Sequence, residues 1–265
     1  MLTAMQILLS LASGAIVGLS LGVIGGGGSI LAVPLMIYVI GVSSPHVAIG
    51  TSAIAVAANA LISLVGHARD RNIKWPCATV FALAGVLGAA LGAEIGKSVD
   101  GAKLLAGFGV LMIAIAILML RPRRGGDNPD VRLDRNSLPR LLPPLAGTGF
   151  AVGAMSGFFG IGGGFLIVPG LVSATSMPLL SAIGSSLVSV ATFGATAAIS
   201  YAISNLVDWP VALLFVLGGA AGGLAGVRLA SRLALHRRAL TAVFSTVVGL
   251  VGLYVVLKGI STFIQ

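Results

Sequence analysis

Two stretches of the chain read almost alike: GLSLGVIGGGGSILAVP, Gly18–Pro34, and GAMSGFFGIGGGFLIVP, Gly153–Pro169. Set one on the other, they agree at Gly18, Gly22, Gly25, Gly27, Gly28, Leu31, Val33 and Pro34, eight of 17 positions. The register continues downstream. AIGTS (48–52) lies on AIGSS (182–186), and Trp75-Pro76 on Trp209-Pro210. Three motifs in the same order and register define a duplicated chain, with repeats over 1–120 and 141–265. Between them the Pro/Gly/Asp/Arg-rich segment 121–140 reads as a linker.

Each quoted stretch sits in an apolar run, 3–44 and 141–178, about twice the ~20 residues that a membrane-spanning helix needs. Six further runs, 47–66, 76–93, 104–120, 179–203, 210–227 and 239–257, have the length of one span each. Of the 265 residues 57% are apolar and 9% charged, where a soluble domain carries about 25% charged residues; the mean hydropathy is +1.08. Such a chain cannot cover a water-facing surface, which excludes a soluble enzyme, a disordered chain and a nucleic-acid-binding domain. The lone Cys77 excludes an internal disulfide. The opening MLTAMQILLS lacks a basic n-region, so no cleaved signal peptide is expected.

The charges choose between two topologies. If each glycine-rich run crosses once, the sixteen Lys and Arg divide ten against six. If each run enters and returns to the same side, the loops 67–74, 121–140 and 228–238 share a side and hold thirteen, against Lys97, Lys103 and Lys258 on the other. The positive-inside rule selects the second arrangement. Corresponding loops of the two repeats then lie on opposite sides, the plan of many secondary transporters. The expected fold is an all-α polytopic membrane protein of two inverted homologous repeats. Each repeat has a Gly-rich broken, re-entrant helical hairpin followed by three transmembrane helices. The chain would sit in the inner (plasma) membrane, with the central loop cytoplasmic.

At the hairpin tips glycine tolerates backbone that leaves helical geometry, and such backbone at membrane depth must be buried or line a cavity. A half-helix begins after each tip, near Ser29 and near Gly164 and Phe165, with free N–H groups and a positive dipole end. Two such ends facing one cavity form an anion site without a buried Lys or Arg. The candidate substrate-binding residues are therefore Gly25, Gly27, Gly28, Ser29, Gly160, Gly162, Gly163 and Gly164, with the repeat-equivalent hydroxyls Thr51, Ser52, Ser185 and Ser186. Hydroxyls offer donors to an oxyanion without a competing charge. Gly14, Gly18 and Gly22, like Gly149, Gly153 and Gly157, have the small-xxx-small spacing of helix packing. Ser185, Ser189, Thr192, Thr196 and Ser200 share one helical face, as do Ser52, Asn59 and Ser63; membrane Ser and Thr also commonly bond their own backbone. No Asp or Glu lies at the centre of a span, and no His/Cys/carboxylate cluster suggests a metal. No catalytic residue and no cofactor are expected. His46, His67 and His236 read as interfacial, and Trp75 and Trp209 as interface anchors before a first-turn proline.

The two Gly-rich motifs ending in VP, each followed by a short loop and AIG[TS]S, resemble the sulfite exporter TauE/SafE family, the TSUP permeases. SSPHVAIGTS (43–52) is especially similar to the family's first-half pattern, and the resemblance covers nearly the whole chain. It implies transport of sulfur-containing anions such as sulfite, sulfoacetate, other organosulfonates and thiosulfate. It carries over to Gly25, Gly27, Gly28 and Pro34, and to Gly160, Gly162, Gly163 and Pro169. Met177-Pro178-Leu179-Leu180 departs from the pattern that Ser44-Pro45-His46 follows. The expected partners are a small anionic substrate and the lipid bilayer, with a coupling proton to be sought near His46 or Glu94. The Gly/Ala faces also allow a homodimer. The expected activity is that of a permease holding its anion near the midplane between the two tips, with alternating access. An uncoupled channel or facilitator for a non-sulfur anion is the alternative.

Overall fold

The computed structural model of the chain describes residues 2–69, 72–120, 137–160, 164–232 and 237–264. Regular structure among them is helical throughout. The first repeat contains α1 (Ala4–Ile24), the short α2 (Gly28–Ile40), α3 (Pro45–Arg69), α4 (Trp75–Ser98) and α5 (Gly101–Leu120). The second contains α6 (Leu138–Phe159), the short α7 (Gly164–Thr175), α8 (Leu179–Ile203), α9 (Trp209–Arg232) and α10 (Arg237–Ile264). Seven described helices, α1, α3, α4, α5, α6, α8 and α9, are long and apolar enough to cross a bilayer. The chain is thus an all-α polytopic membrane protein. The final residues of the expected linker, Leu138–Arg140, already form the first turn of α6, where Pro139 needs no N–H partner; residues 121–136 lie outside the described residues.

The two double-length runs are both broken at glycine. α1 stops at Gly25, whose φ of 72° and ψ of −145° only glycine adopts without strain. α6 stops at Gly160 in the left-handed region, φ 64°, with its N–H returned to the Gly157 carbonyl. Pro34 removes one donor from α2, and the helix absorbs this with a 3₁₀ segment before Ala32 and a π segment over Leu35–Ile40.

The helices pair across the repeats. Gly14, Gly18 and Gly22 of α1 lie against Phe215, Gly219 and Gly223 of α9. Gly149, Gly153 and Gly157 of α6 lie against Phe81, Gly85 and Ala89 of α4. Each contact in the first set is the repeat-equivalent of one in the second. Both pairs run parallel, and both approach so closely that a Cβ at Gly18 or Gly153 would stand 2.0 Å from a backbone carbonyl oxygen. The small-xxx-small spacing is thus a packing device. α3 and α8 form the centre: 67% and 72% of their apolar windows are buried, against 33–44% in the other spans. They run antiparallel, with Gly50 against Tyr201, Gly194 against Ala53 and Ala57, and Gly184 against Asn72. α5 and α10 also run antiparallel, with Gly109 against Gly252 and Gly249 against Ala116.

These contacts sort the helix ends. At one end lie Gln6, Ile40–Ser44 and Asp208, around a cavity of about 280 Å³. His46 and Val99 join this end through a 3.1 Å hydrogen bond, and Lys97 and Ser204 through one of 3.1 Å. At the opposite end Gly22, His67 and Gly226 come together. α2 therefore returns toward the end from which α1 started.

Candidate functional site

Each AIG[TS]S motif is a socket for the hairpin tip of the other repeat. Gly160 seats on Ile49, where a Cβ would stand 1.9 Å from Ile49 Cγ2. The Ser52 hydroxyl donates to the Ile49 carbonyl at 2.8 Å and to the Gly160 carbonyl at 3.4 Å. In the mirror arrangement Gly25 seats on Ile183, with Ser186 Oγ 3.1 Å from the place of its Cβ, and the Ser186 hydroxyl donates to the Ile183 carbonyl at 2.7 Å. The preceding hydroxyl of each motif ties down a loop. Thr51 Oγ1 accepts from the backbone N–H of Asp208 at 2.9 Å, and Ser185 Oγ from that of Lys74 at 2.9 Å. Those N–H groups stand just before Trp209-Pro210 and Trp75-Pro76, at helix starts where donors lack an intrahelical partner. The glycine within the motif lets the same loop approach: Gly50 meets the Leu206 carbonyl and Gly184 that of Asn72.

The candidate residues therefore form two clusters rather than one. Gly160, Thr51 and Ser52 lie at the start of α3, and Gly25, Ser185 and Ser186 at the start of α8. Tyr201, the residue against Gly50, is fifteen residues beyond Ser186, or about 22 Å along the helix. One small anion cannot touch both sets. Antiparallel packing of α3 on α8 is the cause, because it sends the two equivalent sockets to opposite ends. Gly28 is packed against the backbone of Ser20 and Leu21. Ser29 is fully buried in the segment that follows the tip, which packs on α7, and Gly164 opens α7 as a buried residue. Gly27 lies in the 3₁₀ segment. Gly162 and Gly163 lie outside the described residues.

Two hydroxyls on the polar face of α8 are spent on its own backbone, Thr192 donating to the Val188 carbonyl at 3.1 Å and Thr196 to that of Thr192 at 2.8 Å, while buried Ser189 Oγ has no partner among the described residues. Ser200 donates to Glu94 Oε1 at 2.8 Å, beside the Glu94–Lys97 ion pair at 2.7 Å. Trp75 and Trp209 are exposed at their span starts. Among the described residues no cluster of His, Cys, Asp and Glu could hold a metal ion.

A different set of polar groups goes unused by these contacts. Asn59, Ser63 and His67 recur every fourth residue of α3 and are 0%, 0% and 2% exposed. Both amide atoms of Asn59, Ser63 Oγ and His67 Nδ1 have no hydrogen-bond partner among the described residues. The sequence reading placed Asn59 and Ser63 on one face but left His67 at the interface. Its four-residue spacing from Ser63 is the available signal.

An all-helical bundle with broken, glycine-tipped hairpins exchanged between two repeats defines a polytopic membrane protein of the transporter class. The chain belongs to the sulfite exporter TauE/SafE family, whose model matches residues 10–255. It is 46% identical over 255 residues to a probable membrane transporter protein of Xylella fastidiosa strain 9a5c, covering 96% of this chain and 97% of that one. It is 28% identical over 264 residues to the probable membrane transporter protein YunE of Bacillus subtilis, covering 93% and 96%. No solved structure matches the chain significantly.

Proposed function

We propose that the protein is a permease for small sulfur-containing oxyanions, such as sulfite or a short organosulfonate, working by alternating access. The observation that carries this is the pair of reciprocal sockets. Each hairpin tip is seated at one end of the α3–α8 pair, on the opposite repeat, and the two seats are equivalent. Such an arrangement supplies two gates of the same construction at opposite ends, which is what alternating access requires. The antiparallel packing of equivalent helices and the meeting of the ends of α1, α3 and α9 support an inverted repeat with the basic loops 67–74 and 228–238 on a common side. By the positive-inside rule that side is cytoplasmic in the inner membrane. Sulfur oxyanions are the substrate class suggested by the family description.

The test is uptake of labelled sulfite and of methanesulfonate into proteoliposomes, with and without an imposed pH gradient. Saturable uptake with counterflow is expected. Gly27→Leu and Gly163→Leu should abolish it in protein that still inserts. Transport of neither anion by folded protein removes the sulfur assignment. Large single-channel currents would replace the carrier with a channel.

A further inference from the structure

Asn59, Ser63 and His67 form a buried polar stripe that the packing does not require. The duplication provides an internal comparison. The equivalent residues of α8 are Phe193, Ala197 and Tyr201, all fully buried, and there the Phe193 ring stacks on Phe81 at 6.3 Å between centroids. The same location in the fold is therefore filled by a mainly apolar set in one repeat and by an amide, a hydroxyl and an imidazole in the other. Buried polar atoms without partners destabilise a protein; on α8 Ser189 Oγ and Tyr201 Oη also lack one among the described residues, but α3 carries four such atoms on three successive turns of one face, and that run points to a ligand that completes them.

Their chemistry selects its class. His67 Nε2 lies 3.2 Å from the Gly22 carbonyl, which can only accept, so Nε2 carries the hydrogen and Nδ1 faces the interior as a lone pair. A proton on Nδ1 turns it into a cationic donor. Ser63 Oγ–H and Asn59 Nδ2–H add neutral donors one and two turns further in, at about 6 Å intervals. Neighbouring cations oppose a metal cation and favour an anion at this end. Arg69 stands on α3 and Arg228 and Arg232 on α9; Asp70 and Arg71 follow in the sequence, and α1 has no titratable residue. The stripe leads from the basic end of α3 to its middle. It is closed here by the glycine face of α9: a Cβ at Gly219 would stand 1.9 Å from Asn59 Nδ2, and one at Gly223 3.1 Å from Ser63 Oγ.

Resting on the oxyanion-permease reading, we infer that Asn59, Ser63 and His67 form the substrate track, in which a small oxyanion and a proton on His67 Nδ1 bind together. The proton comes from water on the side where the track opens and leaves with the anion on the other. The closely packed α1–α9 pair moves off α3 as a unit to open it.

Two measurements test this. The first is NMR of ¹⁵N-histidine-labelled protein in nanodiscs, with three histidines in the chain and the His67 signal identified by its loss in His67→Gln. Saturating methanesulfonate at a fixed pH should move the His67 Nδ1 signal toward that of a protonated nitrogen, as anion binding about tenfold tighter to the protonated form requires. The second is uptake of sulfite and methanesulfonate in proteoliposomes. Asn59→Leu, Ser63→Ala and His67→Gln should each lower pH-gradient-driven uptake at least tenfold, and Thr246→Val, which alters a hydroxyl bonded to its own helix, should not. A His67 Nδ1 signal that ignores the anion overturns the inference, and this arm needs no variant to be active. So does uptake by the three variants at the wild-type rate and pH profile, or wild-type uptake driven by a sodium gradient instead of a proton gradient. In those cases the permease reading stands. Failure of the wild type to carry either anion removes that reading and this one together.

Discussion

Gly18→Ala places one methyl group at the tightest point between α1 and α9. The added Cβ would sit 2.0 Å from the Gly219 carbonyl oxygen, with the Gly219 carbonyl carbon and Cα both at 2.7 Å. Ordinary contact begins at 3.4 Å, so the helices must separate locally by about 1.4 Å, and the obstacle is backbone that no rotamer change can clear. A gap of 0.5–1 Å already forfeits roughly a quarter to a half of each dispersion contact lining it. Overpacking of this kind costs about 1–3 kcal/mol, a loss of roughly five- to 150-fold in folding equilibrium. Gly153→Ala meets the Gly85 carbonyl oxygen at the same 2.0 Å and should cost the same. The double variant should show the sum, because the two interfaces lie far apart. Gly147 supplies the control: it is also helical, but its Cβ would meet nothing within 4 Å. Gly147→Ala should be neutral or stabilising by about 0.5–1 kcal/mol through lowered backbone entropy in the unfolded chain. The assay is reversible unfolding in mixed SDS micelles, followed by the fluorescence of Trp75 and Trp209, the chain's two tryptophans. Gly18→Ala and Gly153→Ala as stable as Gly147→Ala would refute the close parallel packing, and with it the rigid α1–α9 unit.

Gly160→Ala should destabilise by about 1–2 kcal/mol through its left-handed φ of 64° alone, and further by collision with Ile49; adding Ile49→Ala should recover only the second part in the same unfolding assay. Thr51→Ala and Ser185→Ala should each cost about 0.5–1.5 kcal/mol by orphaning the N–H of Asp208 or Lys74, and hydrogen exchange should quicken at that amide; Thr51→Ser, which keeps the oxygen, should not. In a Cys77→Ala background, Ser98→Cys and Ser204→Cys should react with an impermeant maleimide from one face of the membrane and Ser137→Cys from the other. Labelling of all three from one face would remove the proposed topology. Cys77 itself, 1% exposed, should stay unreactive in the folded protein.

Much of this protein is local in origin and so readable along the chain. Charge depletion and run length set the solvent as lipid, because a bilayer tolerates only helices that satisfy their own backbone. The match of 18–34 to 153–169 revealed the duplication. Glycine clusters inside double-length runs located the two helix breaks, since a positive φ at Gly25 and Gly160 requires that residue. The four-residue spacing of Gly14, Gly18 and Gly22 announced a close helix interface, because periodicity records which face is small. None of these signals names a partner. That the tip of each repeat seats on the AIG[TS]S of the other was decided by the tertiary structure: the contacts join residues more than a hundred positions apart, where shape complementarity leaves no periodic trace. The same holds for Thr51 and Ser185, whose hydroxyls look like ligand donors in sequence yet are used to hold loop N–H groups. It holds too for Asn59, Ser63 and His67. Their spacing put them on one face of a helix, but only the packing of α1 and α9 over that face made it a dry interior, where an unpaired polar atom needs a reason to be there.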